Sequence, residues 1–463
     1  MRKLMLFLAL AGSIGLMASR LPQGVSQKLD QDLSRVGLIP VWSIVLPRSE
    51  PREEVLFAQL LDSDFLLVQM RSGSVFAYDA FTGMQRWLVQ LGQPFRVYQQ
   101  AAIASQYLVV IPADVTLRIY ERKSGVRLWQ LDLNALPHRA PACDDWHLVV
   151  LDGENRLRCW LLPHVERYLN LLAGGSVPGK PVATNRSVHD AGVSSYEIRR
   201  QAILEPQRAW DFQNPDGFDW PAICASNLYV AFADRLGKLR IAASDRLQLT
   251  GEWQFPGPLA APMTFRLVER QEDGLTIWES WLLVPCTDNA LYAFRLHQGK
   301  LRPVWQRVLG DTAHAPAVLL AQHIFVATAQ RGLFCLDRDT GQMRWHQPEA
   351  HHFVAASPRL VFAQDRLGRF LALDREHGHL LSLTTANGKL RAIANHFTDR
   401  VYLISEDGRL LALRDRDPKC AQPQVYYRLR FTPPSTQLAK PGEKPAEDKP
   451  AEEAKPAEDA KPE

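Results

Sequence analysis

Helical periodicity is nearly absent from this chain of 463 residues, which removes a helical solenoid from consideration. Long apolar runs are also scarce. The longest, Leu4 to about Met17, falls short of the roughly 20 residues a membrane-spanning helix needs. Neither sign of charge dominates: 54 Lys and Arg against 50 Asp and Glu leave a net +4, too mild on so large a body to argue for a nucleic-acid partner. Cysteine is sparse, six residues at 143, 159, 224, 286, 335 and 420, with no framework spacing and no CxxC or Cys/His pattern that would hold zinc. Most fall in apolar stretches, where Cys serves as a small hydrophobe, and Cys143 with Cys159 is the one pair worth testing for a disulfide. A Gly-x-Ser-x-Gly elbow is missing, so nothing supports a hydrolase of that design.

What the chain has instead is repetition. Ala77 to Trp87, A-Y-D-A-F-T-G-M-Q-R-W, recurs with wear at intervals of roughly forty residues, the signature of a repeat architecture. Ile119–Trp129 and Cys335–Trp345 keep the register; Ala372–Ser382 has lost its tryptophan; Ala293–Trp305 stretches the spacing between Gly299 and Trp305; Thr250–Trp253 is more degraded. Each element has a physical task. The acid, Asp79 or Asp337, can accept hydrogen bonds from turn amides, and Gly83, Gly125, Gly299 and Gly341 supply the positive φ of a tight reversal. Trp87, Trp129, Trp305 and Trp345 then fall on the next strand, where a flat ring can fill the gap to a neighbouring unit. Burying one such indole is worth roughly 4–6 kcal/mol as an upper bound.

Ahead of each copy lies an apolar strand, a polar turn and a second apolar strand, for example FLLVQMRSGSVFAY at 65–78 and HIFVATAQRGLFCL at 323–336. Eight such hairpins, the others beginning at 107, 147, 227, 281, 359 and 400, predict eight blades of a radial all-β fold. Pro40–Leu46, with Trp42, reads like the strand after a motif glycine, and no equivalent follows the last hairpin. It is expected to complete blade eight and fasten the ring. Gln424–Phe431, QVYYRLRF, alternates as a strand that could join an edge near that seam.

The eleven-residue pattern resembles the tryptophan-docking motif of PQQ-like propeller repeats, over about residues 40–415. That family includes the quinoprotein alcohol dehydrogenases and the noncatalytic propeller lipoprotein of the outer-membrane β-barrel assembly machinery, BamB. The resemblance implies an eight-bladed β-propeller whose motif residues hold blades together. A WD40 propeller is the nearest rival, but no copy carries a Trp-Asp pair. The resemblance implies PQQ, Ca²⁺ and a vicinal disulfide for the enzymes; this chain has no Cys-Cys pair and no recognisable calcium cluster. The expected reading is therefore a noncatalytic scaffold without cofactor or metal, its envelope partners docking on one face. The alternative is a quinoprotein-like sensor or dehydrogenase that binds PQQ or another small ligand in the channel.

The remaining segments complete the plan. Residues 1–19, with Arg2-Lys3, an apolar run and Ala18-Ser19, read as an export signal or, if uncleaved, an N-terminal membrane anchor, which places the protein in a bacterial-type periplasm or envelope. Unlike the lipoprotein relative, no Cys follows the run. Residues 20–39 are expected to be a linker, 40–431 the propeller with an insertion at about 163–219, and 432–463, with its K-P-A-E-D variants, a disordered tail. Arg235, Arg331, Arg366 and Arg409 recur in or beside hairpin turns, as a basic ring or as solvated tips. His138, His314, His351 and His352 lie in connections near the channel mouth, where loop histidines are commoner than ligands.

Overall fold

The structure is a computed structural model that describes residues 31–47, 53–92, 101–165 except 138, 168, and 203–429 except 225–226, 246, 273–274, 298, 385–389 and 406–407. The expected signal, the tail 432–463, His138 and most of the insertion lie outside the described residues. Eight four-stranded antiparallel sheets form an eight-bladed propeller. In chain order the blades span residues 55–90, 103–132, 142–213, 223–254, 264–308, 318–347, 352–384 and 390–415, the last completed by Leu38–Val45.

Burial explains why each sequence segment takes its place. Central strands such as Phe65–Met70 and His323–Thr328 are buried at every residue, because both faces of a blade are covered by its neighbours, and they accordingly read as mostly apolar runs rather than alternating ones. Outer strands alternate instead: in Gln85–Gln90 Trp87 is buried while Gln85, Leu88 and Gln90 are exposed. The innermost strands shorten to two residues in blades two, three and four, and reach nine at Thr264–Glu272 in blade five. Because each blade is a meander, the motif turns and the inner-strand turns share one end of the ring, here the motif face. The central hairpin tips and the blade-to-blade connections share the other, the hairpin face.

The N-terminal strand closes the ring. It runs antiparallel to Arg409–Asp415, pairing Trp42 with Ala412 and Val45 with Arg409. Of the expected linker 20–39, residues 31–39 are described: the closing strand begins at Leu38, and a helical turn at 31–35 seats Leu33 and Val36 among Leu360, Phe362, Phe370, Val401 and Leu403 of blades seven and eight. Likewise 207–213 of the expected insertion is the outer strand of blade three, pairing Trp210 with Cys159.

The C-terminal segment departs from expectation. Residues 424–429 join no sheet edge but form a strap across the motif-face mouth of the channel. Their amides bond to blades eight and one: Tyr426 and Tyr427 donate to the Phe397 carbonyl (2.8 and 3.2 Å), and Leu429 donates to Asp62 Oδ1 (2.9 Å). Side chains spread the same way. Tyr427 stacks on Phe397 and beneath the Arg266 guanidinium, Tyr426 accepts from Arg375 (3.1 Å), and Leu429 packs against the cores of blades one to four. Alternation alone cannot distinguish an edge strand from a segment whose aromatics drop into a channel mouth.

A chain stopped at Thr436 keeps the strap and is expected to melt with the full-length protein. One stopped at Gln422 loses both tyrosines and Leu429 from the channel mouth, and its Tm falls by about 5 °C or more in calorimetry.

Candidate functional site

The motif residues meet at the seams between blades. In blade one, Asp79 Oδ1 accepts from the amides of Phe81 (3.1 Å) and Thr82 (2.9 Å) and from the Thr82 hydroxyl (2.9 Å), folding the turn. Its other oxygen accepts from Arg86 (2.7 Å). Asp337 repeats the pattern with the amides of Asp339 and Thr340 and with Arg344 at 2.6 Å. Burial alone would raise the Asp337 carboxyl, but Arg344 and Thr340 outweigh it and hold the group at about 2. Gly83 and Gly125 sit at φ +73° and +72°, which an L side chain rarely adopts.

A second demand on those glycines comes from the neighbouring blade. A Cβ on Gly83 would lie 2.8 Å from the Trp42 ring, and one on Gly125 2.6 Å from Trp87. Trp305 lies on Gly341 and Trp345 on Gly378 in the same way. Each indole then donates to the carbonyl three residues before the glycine: Trp42 to Ala80 (3.1 Å), Trp87 to Arg122 (2.9 Å), Trp305 to Arg338 (2.7 Å) and Trp345 to Arg375 (2.8 Å). The indole N–H, costly to bury unpaired, is thus satisfied across the seam.

Other seams differ. Trp129 donates to Leu204 (3.1 Å) and packs on Tyr168, because blade three has no motif turn for it. Gly299, expected among the blade-docking residues, has no tryptophan on it and faces Thr250 and Tyr229 of blade four; Thr250 donates to its carbonyl (2.9 Å), and Trp253 packs edge-on against Phe294. Trp210 was not among the expected docking residues, yet it donates to the Ser244 carbonyl (2.8 Å).

Sequence reasoning also missed the arginines. Arg122, Arg338 and Arg375, each directly after the motif acid, donate back to the inner-turn carbonyls of Ser105, Ala321 and Ser357 of their own blades. Arg122 additionally pairs with Asp62 (2.8 Å) and Asp64 (2.6 Å) of blade one. The signal was present as Glu-Arg or Asp-Arg at these three copies, though not at Asp79-Ala80, but a lone arginine in a turn normally reads as solvated. Between blades two, three and four the inner turns are joined by Asp145, whose carboxylate accepts from the Gln106 amide (3.0 Å) and whose amide donates to Asn227 Oδ1 (3.2 Å). Burial, reinforced by Asp144, pushes the Asp145 carboxyl up to about 6.

On the hairpin face Arg235, Arg331 and Arg366 are clasped rather than free. Arg235 pairs with Asp219 (2.8 Å) and with Glu154 of the preceding blade (3.0 Å); Arg366 reaches the Ala329 carbonyl (2.9 Å) and Gln330 (2.7 Å) of the preceding blade; Arg331 donates to Leu309 (3.0 Å). Beside them Leu236 and Leu367 stand 62% and 70% exposed at the tips of two Asp-Arg-Leu-Gly turns. His314 Nε2 and His352 Nδ1 approach to 3.3 Å, so two of the loop histidines do meet at the mouth. Among the described residues no group of three or more His, Cys, Asp or Glu gathers as a metal site. All six cysteines, Cys143 and Cys159 included, are buried free thiols.

Trp87→Ala is expected to cost about 3–5 kcal/mol in denaturant titration, whereas Met84→Ala, at an exposed position of the same turn, costs under about 0.5 kcal/mol. Asp145 has a folded pKa above its unfolded value, so the fold binds its proton more tightly and loses stability as pH rises from about 4 to 6. Asp145→Asn keeps an acceptor without the charge. It should therefore raise stability at pH 7.5, by at most about 2–3 kcal/mol, and leave it unchanged near pH 4 in parallel melts.

Comparison with known proteins agrees with this geometry. The profile described as outer membrane protein assembly factor BamB matches residues 30–187 and 270–419. Among solved structures, BamB from Moraxella catarrhalis superposes with a TM-score of 0.54 at 14% identity, covering 82% of this chain and 98% of that one. The computationally designed Ika8 protein gives 0.51 at 12%, covering 78% and 96%, and the C-terminal WD40 domain of Sif2 gives 0.54 at 9%, covering 81% and 98%. These likenesses show the fold alone, and no curated protein matches the chain significantly. With its PQQ-like propeller repeats and a profile match over most of its length, the chain belongs to the family of the outer membrane protein assembly factor BamB.

Proposed function

We propose that this protein is an exported, noncatalytic scaffold of the cell envelope that holds protein partners on the hairpin face of its propeller. The observation that carries this reading is membership of the assembly-factor family, combined with a motif chemistry consumed in blade docking. Asp79, Arg86, Asp337 and Arg344 are committed to one another and to turn amides, which leaves them no role toward a substrate. The choice of face rests on two facts. The strap occupies the motif-face mouth, and the hairpin face carries the exposed Leu236 and Leu367 beside arginines already clasped to the body. Apolar tips held on such rigid turns can anchor a partner at small entropic cost. Eight outer strands also present edges to which an extended segment could add. Export would come from residues 1–19, either cleaved or kept as an anchor, with no helix of the described residues long and apolar enough to cross a membrane.

Crosslinking pull-down from envelope fractions tests this directly, comparing the intact protein with a Leu236→Glu, Leu367→Glu double variant. A defined envelope complex that falls at least about fivefold in the variant, with the Tm unchanged, is the expected result. Equal recovery from both proteins would remove the hairpin face as the docking surface, and no envelope complex with either would remove the scaffold reading.

A further inference from the structure

The channel contains a chemical oddity that blade docking does not explain. Between the inner strands of blades five to eight lies a cavity of about 460 Å³, lined by Ala317, Val318, Phe353 and Val354, with Arg266 and His396 at one end and His352 at the other. Arg266 and His396 lie toward the motif face, directly under Tyr427 of the strap. His352 and Pro316 mark the end toward the hairpin face.

Arg266 is the oddity. Its Nη1 donates to its own Phe265 carbonyl (2.8 Å), its Nε is a buried donor without an acceptor, and its guanidinium stacks 4.5 Å from the Tyr427 ring centre. Among the described residues no carboxylate lies within ion-pair distance of it, whereas Arg122, Arg158 and Arg240 each have one. No Asp or Glu lines the cavity either. A guanidinium stays charged at physiological pH, and an aromatic face returns only part of what withdrawing such a charge from water costs. Burial lowers the Arg266 pKa, and burial together with Arg266 lowers that of His396 well below the ordinary value. The inner end of the cavity is therefore a cation that has Tyr427 but no carboxylate for a partner, beside a neutral imidazole, and the rest of the wall is mostly apolar, with Thr264, Gln364 and His352 its polar members.

We propose that this half of the channel is a binding site for a small amphipathic anion, its carboxylate or phosphate held by Arg266 and its apolar body lying along Ala317, Val318, Phe353 and Val354. The size suits a small organic molecule, and a few convergent polar groups in an apolar pocket are the usual form of such a site. The anion would accept from the unused Nε and the remaining guanidinium donors in bidentate fashion. Tyr427 keeps the guanidinium plane turned toward the cavity and closes it from the motif face, so ligand enters past His352.

Calorimetric titration of the full chain with octanoate, octyl phosphate and octanol tests the site, alongside Arg266→Gln, Arg266→Lys and Ala315→Trp at the mouth. Binding of at least one anion, weakened tenfold or more by Arg266→Gln and partly restored in Arg266→Lys, with octanol affinity unaffected, is the expected result; whichever anion binds tighter identifies the head group. Ala315→Trp leaves Arg266 in place and is expected to abolish binding of all three probes without changing the Tm, which keeps the test valid should Arg266→Gln fail to fold. Failure of both anions to bind the unaltered protein, affinity for them unchanged by Arg266→Gln, or binding undiminished in Ala315→Trp would overturn the assignment.

Discussion

An indole laid flat on a glycine, with its N–H donated across a blade seam, is the contact on which the ring depends. It makes two demands that only one residue type meets: the turn needs a left-handed backbone, and the ring needs the space of the missing Cβ. The acid ahead of the glycine folds the turn, and the arginine beside the tryptophan locks the acid, so four residue types form one unit. Because each unit contacts only its neighbours, the strength of the whole is close to a sum over seams.

The seams are not equal, and their differences follow from lost motif residues. Where Ser382 replaces the tryptophan, the N-terminal helical turn supplies Leu33 and Val36, and Asp415 accepts from Ser357 (2.7 Å) and Arg359 (3.3 Å) to join blades seven and eight. Where blade three lacks a motif turn, Trp129 turns to Leu204 and Tyr168, and the buried Asp145 bridges the inner turns at the cost of an elevated pKa. The ends of the chain thus serve more than closure. One covers a weak seam and the other straps the channel.

Blade number, strand order and closure were legible because they follow from local chemistry: Gly83, Trp87 and the apolar run at 65–70 each state their environment in their own residue type. Trp42 was readable for the same reason, being one more copy of a strand met elsewhere in the chain. Contacts made once were not legible. Tyr426, Tyr427 and Leu429 alternate as a strand would, and nothing in that alternation reveals that their partners are Arg375, Arg266 and Asp62, far away in sequence. Gly299 matched the spacing yet meets Thr250, since its strand pair runs on to His297 and Lys300 and carries the glycine beyond the common turn, while Trp305 keeps Ala293 opposite it as Trp87 keeps Ala77. The unpaired charge of Arg266 is invisible from sequence, because it is defined by the absence of neighbours that only the closed ring brings close or keeps apart.

If docking of Trp on Gly holds the ring, crowding one seam should loosen its two blades and spare the rest. Native-state hydrogen exchange of a Gly125→Ala variant measures this most directly, since the added Cβ would meet the Trp87 ring at 2.6 Å. The account predicts lowered protection in blades one and two, at residues 65–90 and 108–132, with blades five to seven unchanged. Uniform loss of protection around the ring, or no loss at that seam, would contradict it.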